Sequence, residues 1–334
     1  MKTYRIVVLG AGRIGSVHLR EANAMNALQP VAVADSLEGR AKELASQYGL
    51  TAYTDYKEMI DRERPDIAVI ALPPYLHKES AIYCASKGCH LLLEKPMALN
   101  AEECEEIIAA AKHNQVRLMI AHTMHYMAEN QLAKQWVESG ELGELVMINN
   151  VRHAFYFNDR LDWFFRKDTS GGGILMNLGC HSIDQIQWMT NSRVTKVKAK
   201  IDQRSYRGDI EGAGVVLLET ASGIPATIIQ NGYTGVPRND MEFVFTKGSM
   251  MLRTGEGLWI SENRVFQEVE LDRTLDPYQL QFLDLIRWME TGEASACSGE
   301  YGKSVITVVD AIYKSHEMGK ELTIIPAKGA SCHE

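Results

Sequence analysis

Residues 4–23, YRIVVLGAGRIGSVHLREAN, limit what this chain can fold into more than any other stretch. An apolar run of the buried-strand type passes at once into Gly10, Gly12 and Gly15 in G-x-G-x-x-G spacing, then into a segment able to continue as a helix. Glycine-rich turns are common, and the spacing gains its weight from lying between a strand and a helix. Such glycines allow a tight turn and close approach of the backbone to a pyrophosphate held at the helix N-terminus. Arg13 and Ile14 are the side chains inside that turn. A second strand, PVAVAD, ends in Asp35, about 20 residues beyond Gly15, where a carboxylate accepts hydrogen bonds from an adenosine ribose. The same anion repels a 2′-phosphate, so NAD is expected over NADP. Asp35 also suits the N-cap of a helix in SLEGRAKELASQYG, and Arg40 stands close enough to accommodate a 2′-phosphate.

Strand and helix patterns keep alternating through VRLMIAH, near residue 122, with Asn100 as the expected N-cap of NAEECEEIIAAAKHN. That alternation means a doubly wound parallel sheet of the Rossmann type, with its ligand at the carboxyl ends of the strands. Leu72, Pro73 and the PPYLH segment with His77 follow one strand, and Glu94, Lys95 and Pro96 follow another. An amine at Lys95 would sit near the nicotinamide end of a dinucleotide, where partial burial beside a cationic ring lowers its pKa into a useful acid–base range. An exposed strand-end lysine is the plainer reading.

From residue 123 the pattern becomes strands separated by turns, ELVMINNVRHAFY through RVFQEVEL, followed by an Asp-Pro helix start at DPYQLQFLDLIRWMETG. The expected division is therefore 1–122, a dinucleotide-binding domain, and 123–334, an α+β domain with a large, mostly antiparallel, open-faced sheet. Such a sheet needs a cover on its second face, and self-association as a homodimer or homotetramer supplies one. Within this half, GGGILMNLGCHSID puts Asn177 and His181 four residues apart, on one face of a helix. Ahead of it, Arg160, Trp163 and Arg166 either line a polyol pocket or pack a loop on the core.

A length of 334 residues, 46% hydrophobic content and 23% charged residues suit a two-domain globular chain. The net charge of −8 argues against nucleic-acid and anionic-membrane partners. No apolar run is long enough to span a bilayer, and the N-terminal apolar stretch is too short for a signal peptide. Cys84, Cys89, Cys104, Cys180, Cys297 and Cys332 show no C-x-x-C pairing, which reads as reduced thiols in a cytoplasmic protein. His122 and His125 form H-x-x-H. On a continuing strand residues three apart face opposite ways and could not chelate; on a helix start they could, but no H-E-x-x-H or cysteine cluster supports it, so no metal site is expected. Cys180 beside His181 reads as a small core residue, because adjacent helical side chains point apart.

GAGRIG, Asp35, PPYLH, EKPMALN and GGGILMNLGCHSID, in this order, resemble the glucose–fructose oxidoreductase, inositol dehydrogenase and rhizopine-catabolism oxidoreductases. FLDLIRWMETGE and VVDAIYKSHEMGKEL resemble that family's closing helices, so the likeness covers nearly the whole chain. The resemblance implies that Lys95 is the catalytic lysine and that the Lys95–Pro96 bond is cis. It further implies that His181 faces Lys95 across the cofactor, with Gly171–Gly173 letting the helix start close to the ligand. Two positions depart from the pattern: Asn177, where many relatives carry aspartate, and His125, where an arginine is usual.

The function expected is hydride transfer between a nicotinamide and a secondary alcohol of a sugar or cyclic polyol. His181 exchanges the hydroxyl proton, Lys95 polarises the oxygen or shares the proton relay, and Asn177 orients a neighbouring hydroxyl. Tyr126, Arg160, Trp163 and Arg166 complete the expected substrate set. The alternatives are a glycosidase or epimerase that cycles a tightly held NAD, and a non-catalytic dinucleotide-dependent sensor.

Overall fold

A computed structural model describes residues 2–158, 160–202, 204–261 and 263–324. Cys332 lies outside the described residues. The first half alternates as its periodicity requires: β1 (Tyr4–Leu9), α1 (Arg13–Asn23), β2 (Leu28–Ala34), α2 (Glu38–Tyr48), β3 (Thr51–Tyr53) and α3 (Tyr56–Glu63). It continues with β4 (Ile67–Ile70), α4 (His77–Ser86), β5 (His90–Leu93), α5 (Ala101–His113) and β6 (Leu118–Ile120). The six strands form one parallel sheet in the order β3-β2-β1-β4-β5-β6. Helices cover both faces of such a sheet, and Ile6–Leu9, Ile67–Ile70 and Leu91–Leu93 are accordingly wholly buried. Asn100 caps α5 by accepting the Glu103 N–H at 2.9 Å, while Glu103 accepts the Leu99 N–H at 3.1 Å.

The second half holds α6 (Ala128–Ser139), β7 (Leu145–His153), α7 (Lys167–Ser170), α8 (Cys180–Met189), β8 (Val194–Asp202), β9 (Ala213–Thr220) and β10 (Pro225–Asn231). Next come β11 (Arg238–Phe245), β12 (Ser249–Arg253), β13 (Gly257–Ser261), β14 (Gln267–Glu268), α9 (Pro277–Thr291), α10 (Gly299–Met318) and β15 (Leu322–Thr323). Nine strands form a second sheet, β14-β13-β12-β11-β7-β10-β9-β8-β15, in which only β7 and β10 run parallel. Its strands alternate: Val216 and Leu218 are buried, whereas Val215 and Leu217 are about half exposed, at 55% and 50%. GLWIS forms a strand the sequence reading passed over, while RVFQEVEL contributes only the two residues of β14.

The chain divides into two compact units, and the division departs from a cut at 122/123 in one respect. Residues 1–123 are joined by 275–303, and the second unit comprises 124–274 and 304–334. The reason is α9. Asp276 caps it through the Tyr278 N–H at 2.8 Å with Pro277 at its first position, and its apolar face meets α1 of the first unit. Tyr278 and Phe282 stand edge-on to His18 at 5.1 and 5.8 Å, and the Gln279 amide donates to Glu21 at 2.8 Å. Among the described residues, no helix is long and apolar enough to cross a membrane.

Candidate active site

In the first unit the glycine turn stands at the carboxyl end of β1. Gly10 has φ +100°, and a Cβ there would run into the Ala71 carbonyl oxygen at the end of β4. A Cβ at Gly15 would strike the Gly10 carbonyl, whereas Gly12, at the N-cap of α1, faces open space. The turn is thus packed on two sides and open on the side where α1 presents its first N–H groups, which suits a pyrophosphate. The Asp35 carboxylate accepts the Ala11 N–H through Oδ2 and the Leu37 N–H through Oδ1, both at 2.9 Å. It ties the glycine turn to the β2–α2 loop. It does not cap α2, whose N-cap residue is Leu37, because the helix starts later than its sequence pattern suggests. Each oxygen keeps a second lone pair with which to meet a ribose hydroxyl.

β4 and β5 end on the same edge of the sheet as β1. Leu72 and Pro73 are half-buried there, and so are Glu94 and Lys95. His77 departs from its expected contact with a cofactor: it is 1% exposed, with Nδ1 2.9 Å from the Pro96 carbonyl and Nε2 2.8 Å from the Leu72 carbonyl. The ring stands between the two loops that would flank a ligand, donating to one carbonyl at a time when neutral and to both when protonated. Burial lowers the His77 pKa, against the pull of those carbonyls. Glu94 is braced as well, through Oε1 to His18 Nε2 at 2.8 Å and through Oε2, which accepts the Lys95 N–H at 3.1 Å. Burial alone would raise the Glu94 carboxyl, but the His18 bond and the Lys95 charge outweigh it and the net shift is downward. The Lys95–Pro96 peptide bond is cis. Arg13 and Arg40 are exposed on α1 and α2, and Ile14 is half-buried.

In the second unit the segment GGGILMNLGCHSID is not a regular α-helix. Leu175–Gly179 is a π-helical turn that leads into α8, a feature common at functional sites. Asn177 and His181 remain about one turn apart, because four residues nearly complete a turn of either helix type. The glycines before them serve the protein's own packing. A Cβ at Gly172 would meet the Tyr313 hydroxyl, and one at Gly173 would meet the Glu211 carbonyl, so this space is filled by protein rather than kept for a ligand. Glu211, 6% exposed, holds the turn: its carboxyl accepts the Gly173 N–H at 2.8 Å, the Leu175 N–H at 2.9 Å and the Tyr313 hydroxyl at 3.0 Å. Burial raises its pKa, and those hydrogen bonds oppose the rise.

The Asn177 amide donates to the Tyr156 hydroxyl at 3.3 Å; burial pushes that hydroxyl up to about 12. Arg160 lies over the Tyr156 ring at 4.7 Å and the Phe164 ring at 5.1 Å, which brings it to the Asn177 side chain through one intermediary. Trp163 stacks on Phe164 with centroids 3.7 Å apart. Arg166 departs from the expected substrate set, being exposed and forked onto Asp168 at 2.6 and 3.1 Å. Tyr126 and His181 are half-buried. Cys180 is wholly buried, with Sγ 3.2 Å from the Asn177 carbonyl, as a core residue would be.

The H-x-x-H residues go separate ways. His122, in the first unit, stands edge-on to Tyr301 at 5.5 Å; His125, in the second, pairs through Nε2 with Asp184 at 2.7 Å and stacks on Trp188 at 4.2 Å. Among the described residues no group of three or more His, Cys, Asp or Glu is placed to hold a metal. His18, Glu211, Tyr156 and Asp184 escaped the sequence reading. Only Asp184, closing H-x-I-D, stood in a motif.

Comparison with known proteins bears on both units. Residues 4–122 match the model of an oxidoreductase family with an NAD-binding Rossmann fold, and residues 130–251 match the GFO/IDH/MocA C-terminal domain. Inositol 2-dehydrogenase of Salmonella paratyphi B is 26% identical over 344 residues, covering 98% of each chain. The rhizopine catabolism protein MocA of Rhizobium meliloti is 27% identical over 212 residues, or 64% of this chain and 65% of that protein. The crystal structure of aldose-aldose oxidoreductase from Caulobacter crescentus, complexed with glycerol, superposes with a TM-score of 0.90 at 23% identity, covering 97% of this chain and 100% of that one.

Proposed function

The chain belongs to the Gfo/Idh/MocA oxidoreductases, and from that premise we propose that it oxidises a secondary alcohol of a sugar or cyclic polyol with NAD. The observation that carries the reading is one edge of the parallel sheet. There the glycine turn after β1, the Leu72 loop after β4 and the Lys95 loop after β5 stand side by side, locked by Asp35, His77 and Glu94. Gly10, Gly12, Gly15 and Asp35 would hold the dinucleotide, with Arg13, Ile14, Leu72 and Pro73 around them. NAD, when bound, supplies the hydride acceptor. His181 takes the proton of the reacting hydroxyl, Lys95 polarises its oxygen or shares the proton relay, and Asn177 orients a neighbouring hydroxyl through an amide that does not titrate. Arg160, Trp163 and Tyr126 line the substrate side.

Self-association belongs to the same reading. Val215, Ile229 and Val151 form a row across β9, β10 and β7 on the exposed face of the nine-stranded sheet, with Leu217 beside them. Covering that face with a second copy gives a homodimer, or a homotetramer by repetition. The cysteine pattern fits a cytoplasmic setting.

The deciding experiment is a panel of sugars and polyols with NAD, read for both NADH and product. Net NADH is the expected result. Product without net NADH would replace the reading with an internal redox cycle, as in an epimerase or glycosidase. Ligand binding without turnover would replace it with a sensor.

A further inference from the structure

Arg152 lies next to last on β7, two residues beyond Asn150 and four beyond Ile148, and shares their face of the sheet. Ile148 and Asn150 are buried at 0% and 2%, since α8 rests on this face. The Ser182 hydroxyl of α8 donates to Asn150 at 2.7 Å and accepts from the Gln230 amide at 3.1 Å. Arg152 is paired in register with Gln230 on β10 and Asn239 on β11. Its side chain is half-buried, so one end of it still reaches solvent. Its guanidinium makes no side-chain hydrogen bond and no ion pair among the described residues. Burial pulls its pKa down, and among the described residues the Cys180 thiol is the titratable group that opposes this.

A second observation points the same way. Gln230 is 1% exposed, and its Oε1 has no hydrogen-bond partner among the described residues. An acceptor without a donor thus stands in register with a donor without an acceptor, and the two do not meet. The guanidinium is not there to complete the inner-face network of Asn150, Ser182 and Gln230. A cation held partly out of solvent with no counter-ion among the described residues is costly to a fold, and proteins seldom keep one unless a ligand answers it. The register fixes where that ligand would be: a Cβ at Gly179 would lie 3.7 Å from Oε1 of Gln230, the partner of Arg152, and the next residue, Cys180, rests its Sγ on the Asn177 carbonyl. The free charge therefore adjoins the turn that carries Asn177 and His181.

We propose that Arg152 is the anion receptor of this site, and that the substrate is a sugar or polyol bearing a carboxylate, a uronate or aldonate, rather than a neutral one. The planar fork of a guanidinium meets both oxygens of a carboxylate, and a lysine ammonium does not reproduce that. The inference rests on the dehydrogenase reading for the word substrate, and on Arg152 alone for the carboxylate.

The test uses the full-length, NAD-loaded protein and matched pairs: D-glucuronate with D-glucose, D-galacturonate with D-galactose, and D-gluconate with D-glucitol. D-glucose 6-phosphate is a separate arm. Binding is followed by calorimetry and turnover by NADH. Each acid that binds should do so about 10- to 100-fold more tightly than its neutral partner, as a charge-assisted hydrogen bond warrants. Arg152→Met should abolish that difference while melting temperature and NAD affinity stay close to wild type, and Arg152→Lys should keep part of it. The proposal is overturned if no acid outranks its partner, if Arg152→Met retains the preference, or if the phosphate is bound and the carboxylates are not. NADH from neutral sugars alone would leave the dehydrogenase reading standing and remove this one. Acids bound through Arg152 without any NADH would do the reverse.

Discussion

A lysine at the end of a strand is ordinary, and Lys95 differs from one through its surroundings. Its loop is pinned by His77 at the Pro96 carbonyl and by Glu94 at the Lys95 N–H. One buried and one half-buried anchor on a short loop hold an amine in place better than a surface lysine needs. Lys95→Ala should therefore lower kcat by about 10²–10⁴-fold, as expected for loss of a proton-transfer group, with NAD affinity nearly unchanged by fluorescence titration. Near-normal kcat on the true substrate would return Lys95 to the surface class. Asn177 is the second informative position. Asn177→Asp places a carboxylate beside the Tyr156 hydroxyl and one turn from His181, so two groups would titrate together. The pH profile of kcat/KM should shift or gain a limb, because that ratio reports the free enzyme's ionisations; an unchanged profile would separate Asn177 from the chemistry. At Asp35, both oxygens already accept backbone N–H groups, which fixes the anion where a 2′-phosphate would approach. The ratio of Kd values should favour NAD over NADP, and an NADP preference would promote Arg40.

At the scale of the element, what could be read in the sequence was whatever depends on near neighbours. The G-x-G-x-x-G turn, the caps at Asn100 and Asp276, and the alternating strands all follow from residues within a few positions of each other. The nine-stranded order did not, because nothing in a strand's own pattern names its partner; β7 pairs with β10 and β11 across long stretches of chain. For the same reason the three glycines at 171–173 were assigned to a ligand. The atoms that require Gly172 and Gly173, the Tyr313 hydroxyl and the Glu211 carbonyl, lie far away in sequence, while Gly171 has a left-handed φ of +79°. The Glu211 carboxyl that caps the π-helical turn was equally hidden, although it has a pH signature. Its folded pKa is raised by burial, so its protonated form stabilises the fold fully below the ordinary glutamate value of 4.5. That contribution is lost as pH rises through the folded value. Glu211→Gln cannot titrate. The melting-temperature advantage of wild type over Glu211→Gln should therefore be largest near pH 4 and shrink toward neutrality; an advantage that grows with pH would show that the hydrogen bonds to the carboxylate outweigh its burial.

For the whole molecule, the open sheet face poses the question that neither unit answers by itself. Apolar residues scattered singly on a surface need no explanation, but Val215, Ile229 and Val151 are register partners on consecutive strands, and Leu217 adds to the same patch. Charged residues border that patch, with Lys198 paired to Leu217 on β8 and Glu242 paired to Asn149 on β11. An apolar centre with a polar rim is the anatomy of a protein interface. If two copies meet through this face about a two-fold axis, each patch faces itself, and a charge introduced near the axis confronts its own copy. Leu217→Glu should then do more than remove contact area, because like charges brought together across an interface cost several kcal/mol. Light scattering should give a multiple of the chain mass for wild type and the single-chain mass for Leu217→Glu. The melting temperature of the variant should become independent of protein concentration, as mass action requires once association is lost. A wild-type protein that is already a monomer, or a variant whose mass is unchanged, would mean that this face is covered by something other than a second copy.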